Sequence, residues 1–177
     1  MSGNVVRINR APVLTLWAAV VAERLGYEPE TALTLGKCVA GLNAQSKGRM
    51  LGIYGTPKAA HGKEARKVGL GEDFWVPVCG RGVPAKNTQD GIRAVVKDRP
   101  IDPASVERYL GSKFGDALDD VRAAMSALAA AFDPDALAEA AYGLYETFRP
   151  KIAPGKRGWG QRGELNLDLI RSLAKKA

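Results

Sequence analysis

One cysteine sits where a reactive thiol would be useful. Cys79 is followed by Gly80-Arg81-Gly82. A thiolate beside an arginine and an anion-binding glycine turn is the minimum for nucleophilic work on a phosphorylated substrate. Such a nucleophile needs an activating base, and the chain's one histidine, His61, lies in a polar glycine-rich stretch far along the sequence. The structural reading of Cys79, a small hydrophobe closing an apolar strand, is the stronger. Asp116 and Asp120 share a helix face with Asp119 beside them, but carboxylates in a first helical turn already complement the helix dipole. With two cysteines and one histidine, no zinc cage of the usual kind and no disulfide framework is expected. Neither a P-loop nor a dinucleotide fingerprint is present, and no cofactor is expected.

The stronger chemistry is charge. The run from Lys47 to Lys67 contains Lys47, Arg49, Lys58, Lys63, Arg66 and Lys67 against one acid. A second run, from Arg149 to Gly163, has five basic residues and no acid: Arg149, Lys151, Lys156, Arg157 and Arg162. Four glycines in this run let backbone N–H groups approach a ligand, and Trp159 between two of them offers a face for stacking or a wedge. Phosphate contact needs only such a field and carries no sequence information. The competing readings are a solvated loop for the first run and a buried, pinning Trp159 for the second.

Sequence preference would come from residues 35–54. Val39 and Ala40 pack inside, Asn43-Ala44-Gln45 turns, Ser46 caps, and Gln45, Lys47 and Arg49 face the major groove. This segment resembles a helix-turn-helix over some twenty residues. Ala44 stands where glycine usually makes the turn, and Gly48 and Gly52 loosen the second helix.

Periodicity predicts the elements that would position these groups. Val13, Leu14, Leu16, Trp17, Val20, Val21 and Leu25 form the stripe of a helix over 12–26. A second helix starts at Pro29. Phe74 to Cys79 reads as a strand, Gly80-Arg81-Gly82 as its turn and Val83 as the return, with Pro77 and Pro84 marking edge strands; Ile92 to Lys97 adds a third short strand. Asp102-Pro103 and Asp133-Pro134 open helices over 103–114 and 134–148, with another from Asp116 to Phe132 and a last short one around Leu165 to Leu173. The expected fold is mainly α: a bundle of about six or seven helices with a small central hairpin, its N-terminal part helix-turn-helix-like or winged-helix-like. Residues 1–100 form a basic N-terminal part and 101–177 a C-terminal part, together one compact unit.

The 177 residues are enough for a core without cross-links. The net charge of +7 is unevenly spread. Residues 1–70 carry ten basic and four acidic side chains, 101–148 three and nine, and 149–177 eight and two. Two basic ends bracket an acidic middle. No apolar run reaches membrane-spanning length and no secretory signal is evident, so a cytoplasmic location is expected. The function expected is binding of nucleic acid, duplex DNA foremost, without catalysis. The alternatives are a homo-oligomer joined through acidic and basic segments, and a small enzyme using Cys79 and Arg81.

Overall fold

In a computed structural model of the protein, residues 5–46, 71–151 and 162–176 are described, with 43–46 as backbone alone. The chain begins with strand β1 (Val5–Asn9), which runs directly into helix α1 (Arg10–Arg24). Every residue of α1 from Pro12 to Ala22 is buried. A helix with no polar face has to occupy the centre, and α1 does. Its one buried hydroxyl, Thr15, bonds back to the Ala11 carbonyl at 2.9 Å.

Helix α2 (Pro29–Ser46) lies against α1 on small residues. Gly36 allows this: a Cβ built there would overlap the Thr15 carbonyl oxygen and stand 2.9 Å from the Ala19 nitrogen. On its other side α2 meets an antiparallel sheet of β2 (Asp73–Val78), β3 (Arg81–Thr88), β4 (Gly91–Val96) and β5 (Arg99–Pro100), in that spatial order. Two threonines join helix to sheet. The Thr31 hydroxyl donates to the Ile92 carbonyl at 2.7 Å, and the Thr34 hydroxyl accepts from the Ala94 amide at 3.0 Å. Arg93, 7% exposed, is neutralised by Glu30 at 3.3 Å and donates to the Asp90 and Ile92 carbonyls.

The opposite side of α1 is covered by the C-terminal helices: α3 (Pro103–Phe114), a 3₁₀ turn (Gly115–Ala117), α4 (Leu118–Ala130) and α5 (Pro134–Phe148). The Asp102 side chain caps α3 through the Ala104 amide. Trp17 crosses into this layer, donating its indole N–H to the Ala141 carbonyl at 2.9 Å and meeting Phe148 edge-on at 5.3 Å. Strand β6 (Arg162–Asn166) and helix α6 (Leu167–Lys176) complete the chain, and β6 pairs antiparallel with β1.

The molecule is therefore α+β, with antiparallel sheets of four and two strands, and not a mainly-α bundle with one small hairpin. Periodicity misleads here for a physical reason. Strands β1 and β6 are five residues each and pair across most of the chain, as in Val5 opposite Asn166. The helix-turn-helix and winged-helix readings also fall. Asn43-Ala44-Gln45 does not turn, and Ser46 ends α2 instead of starting a new helix. Without glycine at 44 nothing favours the left-handed conformation, and Ala and Gln propagate a helix well.

The turn after β2 is Cys79-Gly80, both at positive φ (49° and 78°), so Arg81 and Gly82 belong to β3. Two positive-φ residues match the right-handed twist of a tight hairpin. Lys97-Asp98, at φ 53° and 68°, repeats the device between β4 and β5. Pro77 lies on an edge strand as expected, but Pro84 lies on β3, inside the sheet. It costs one ladder donor while the register on either side holds, with Val83 opposite Val76 and Ala85 opposite Ala94.

Candidate nucleic-acid interface

The β1/β6 ribbon has two unlike faces. Side chains alternate along a strand, and burial follows that alternation: Ile8 and Leu165 are in the core, whereas Val5, Arg7, Arg162, Glu164 and Asn166 are exposed. The register sets Arg7 opposite Glu164 and Asn9 opposite Arg162. Thus an arginine from the start of the chain and one from near its end share an outward face. Their spacing in sequence carries no hint of this.

Three helix ends converge on the ribbon. Helix α1 starts there, and its N-cap Asn9 makes no side-chain cap bond. Helix α5 ends there, held by Arg10, whose Nε donates to the Pro150 carbonyl at 2.8 Å. The end of α3 contributes Ser112 and Lys113. Next to Pro150, the Lys151 carbonyl packs so tightly on Gly163 that a Cβ at 163 would overlap it. Lys151 and Gly163, which flank residues 152–161 in sequence, are therefore in direct backbone contact.

Two open cavities flank this junction. One, of about 460 Å³, is lined by Arg7, Arg149, Lys151 and Arg162, with Glu164 as its one carboxylate and Phe148 among its apolar walls. The other, of about 500 Å³, is lined by Arg7, Asn9, Ser112, Lys113 and Arg162. Arg7 and Arg162 belong to both and form the ridge between them.

Glu164 does little to neutralise the rim. Its contact with Arg7 is 3.7 Å, with both side chains some two-thirds exposed (64% and 65%). A pair that wet is worth no more than about 1 kcal/mol. No ion pair involves Lys113, Arg149, Lys151 or Arg162 among the described residues. Like charge is also crowded beneath the rim: burial first, then the neighbouring Arg149, holds the Arg10 pKa below its ordinary value. The Arg149 guanidinium stands 5.7 Å from the centre of the Tyr145 ring. It acts electrostatically on the Tyr145 hydroxyl, which is buried without a well-formed hydrogen bond among the described residues.

Of the residues singled out from sequence, Lys151 and Arg162 stand on this rim. Gln45 lies in the last turn of α2, described by its backbone. Lys47, Arg49, Lys58, Lys63, Arg66, Lys67, Lys156, Arg157 and Trp159 lie outside the described residues, as does His61. Sequence reasoning left out Arg7 and Lys113. The pairing that makes Arg7 important is non-local, and Lys113 is one of three cations among nine acids in residues 101–148.

The thiol chemistry weakens on inspection. Cys79 is 3% exposed, and burial pushes its pKa up to about 12. It is a neutral thiol at physiological pH, inside the core. Burial likewise raises Cys38 to about 11. Asp119 and Asp120 sit in the first turn of α4, and no group of His, Cys, Asp and Glu suited to a metal ion occurs among the described residues. Among the same residues no helix is long and apolar enough to cross a membrane. No family model, curated protein or solved structure matches the chain.

Proposed function

We propose that the protein binds nucleic acid, duplex DNA foremost, through phosphate contacts at the rim formed by Arg7, Arg149, Lys151 and Arg162. The observation that carries this reading is the closed junction of Lys151 on Gly163 beside β1. It gathers cations from both ends of the chain around one open cavity with a single, weakly paired carboxylate. An exposed concave surface of one sign concentrates field and attracts polyanions. Lys156 and Arg157 fall in sequence between the two residues of that junction, and their charge belongs to the same reading. Guanidinium groups suit this task because their planar donors match phosphate oxygens.

The recognition is of backbone, not of base sequence, since phosphate contacts position a protein on a duplex without reading it. The test is fluorescence anisotropy of a labelled random-sequence duplex at 50 and 200 mM salt. Each phosphate contact contributes about 0.9 to the slope of log affinity against log salt. Arg162→Ala and Lys151→Ala should each weaken binding and flatten that slope by about 1. Arg99→Ala, on β5 of the other sheet and outside both cavity linings, should do neither. Equal behaviour of all three variants would remove the rim from the account.

A further inference from the structure

We propose that Lys113 and Lys37 extend the rim into one continuous track, so that a single duplex crosses the Arg7–Arg162 ridge and is held from Lys151 on one side to Lys37 on the other. This rests on the phosphate-binding reading above and adds the ligand's path and its minimum extent.

The connection is made of contacts. The ridge residues Arg7 and Arg162 line the second cavity together with Lys113, at the last turn of α3. One helical turn back on α3 is Tyr109. The Lys37 ammonium lies 3.8 Å above the centre of the Tyr109 ring, and the Lys113 ammonium stands 5.9 Å from the same centre. Two ammonium groups thus stand within 6 Å of the centre of one aromatic ring, within the range of cation–π attraction. Neither lysine has a carboxylate partner in an ion pair among the described residues.

The arrangement works against itself unless something anionic lies over it. Burial first, and then the charge of Lys113, holds the Lys37 pKa below its ordinary value. The surrounding chain is rich in acids that could have relieved this, since residues 101–148 hold nine. Where an acid does meet a base in this region it is elsewhere: Glu107 takes Arg122, at 2.9 Å, on the α4 side. The lysines at the track are left to each other and to the ring. An anion spanning both ammonium groups lowers their mutual repulsion.

The track also answers how the two basic runs could serve one ligand. Lys37 is on α2, nine residues before its end at Ser46, or about 14 Å along the helix axis at ~1.5 Å per residue. The basic run from Lys47 follows directly in sequence, and the run from Arg149 to Gly163 starts at the opposite end of the track. A mononucleotide or free phosphate fills one cavity and needs nothing beyond the ridge. A duplex laid across the ridge meets both cavities and the lysine pair.

The deciding experiment uses the full chain and the same labelled duplex, 20 base pairs long, at 50 and 200 mM salt. The variant is Lys37→Gln with Lys113→Gln, checked by its melting temperature. Losing two phosphate contacts should flatten the salt slope by about 1.8, so the variant's fall in affinity over that fourfold salt range is smaller by about 12-fold. Lys113→Glu alone, at an exposed position, should weaken binding more than Lys113→Gln, and it decides the matter if the double variant is destabilised. An unchanged slope in both, with Lys151→Ala and Arg162→Ala still weakening binding, overturns the track and leaves the rim. No binding by the unaltered protein at 50 mM salt overturns the rim and the track together.

Discussion

Replacing Gly163 with alanine tests the geometry of the site without removing a charge. The φ of Gly163 lies outside the left-handed region, so the added methyl meets no backbone prohibition. The cost is steric. The new Cβ would overlap the Lys151 carbonyl oxygen and stand 2.9 Å and 3.1 Å from that residue's carbonyl carbon and amide nitrogen. All three are backbone atoms, and none can rotate away. The two segments must part by roughly an ångström to reach ordinary contact near ~3.5 Å. Forcing a methyl into a packed site costs about 1–3 kcal/mol. Alanine returns about 0.4–1 kcal/mol by restricting the unfolded chain. The two terms oppose, so the net loss is about 1.3 kcal/mol at the midpoints of the two ranges.

For a chain of this size each kcal/mol moves the melting temperature by about 2–4 °C, so a fall of about 3–5 °C is expected. The matched control is Gly143→Ala on α5, where a Cβ meets nothing within 4 Å. There the helix gains about 0.5–1 kcal/mol. In the duplex assay Gly163→Ala should bind more weakly than the parent with every cation still present, because Lys151 and Arg162 no longer face the same cavity. A melting temperature at or above the parent's, with unchanged affinity, would refute the close packing of Lys151 on Gly163.

Gly36→Ala should be the more damaging of the two glycine-to-alanine changes at Gly36 and Gly41 on α2. The methyl is driven into the Thr15 carbonyl of α1; about 1–3 kcal/mol of overpacking less ~1 kcal/mol of helix propensity leaves an expected loss of about 1 kcal/mol, at most ~2, in denaturant unfolding. Gly41→Ala on the same helix, with open space around it, should be neutral or stabilising; equal effects at the two positions would contradict the close approach of α1 and α2. Alkaline pH should destabilise the protein through its thiols. Above about 9 the unfolded chain releases the Cys38 and Cys79 protons while the folded chain keeps them up to about 11 and about 12, so the unfolded state binds fewer protons and stability falls as pH rises through that window. Lys37, lowered by burial, opposes this in part. Urea unfolding at pH 8 and pH 10.5, with and without Cys38→Ala and Cys79→Ala, measures it, and an identical pH dependence in the double variant would remove the thiols as its cause.

What could be read from the sequence was local. The helices opened by Asp102-Pro103 and Asp133-Pro134 start at those prolines, because N-cap geometry and proline at the first turn are decided within a few residues. The strand around Phe74–Val78 was visible from its β-branched and aromatic residues. The ribbon was not, since half of its pattern lies more than 150 residues from the other half. The stripe over α1 was seen, but its burial on all sides needed α2 and the C-terminal helices to be placed first. The site follows the same division. Lys151 and Arg162 stood out as part of a charge run, whereas Arg7 and Lys113 acquire meaning only from what they stand beside.

The pairing of β1 with β6 also sets a clock. At a synthesis rate of about 5–20 residues per second, strand β1 waits some 8–30 seconds before β6 has been made. Through that interval α1, α2 and the four-stranded sheet have all their partners among residues already translated or soon to be. Arg7 does not. Neither cavity has its shared wall until Arg162 has emerged, so a nascent chain, or one cut short before β6, lacks the rim however well the rest of it folds. On the phosphate-binding reading, the contacts that hold the duplex wait for β6.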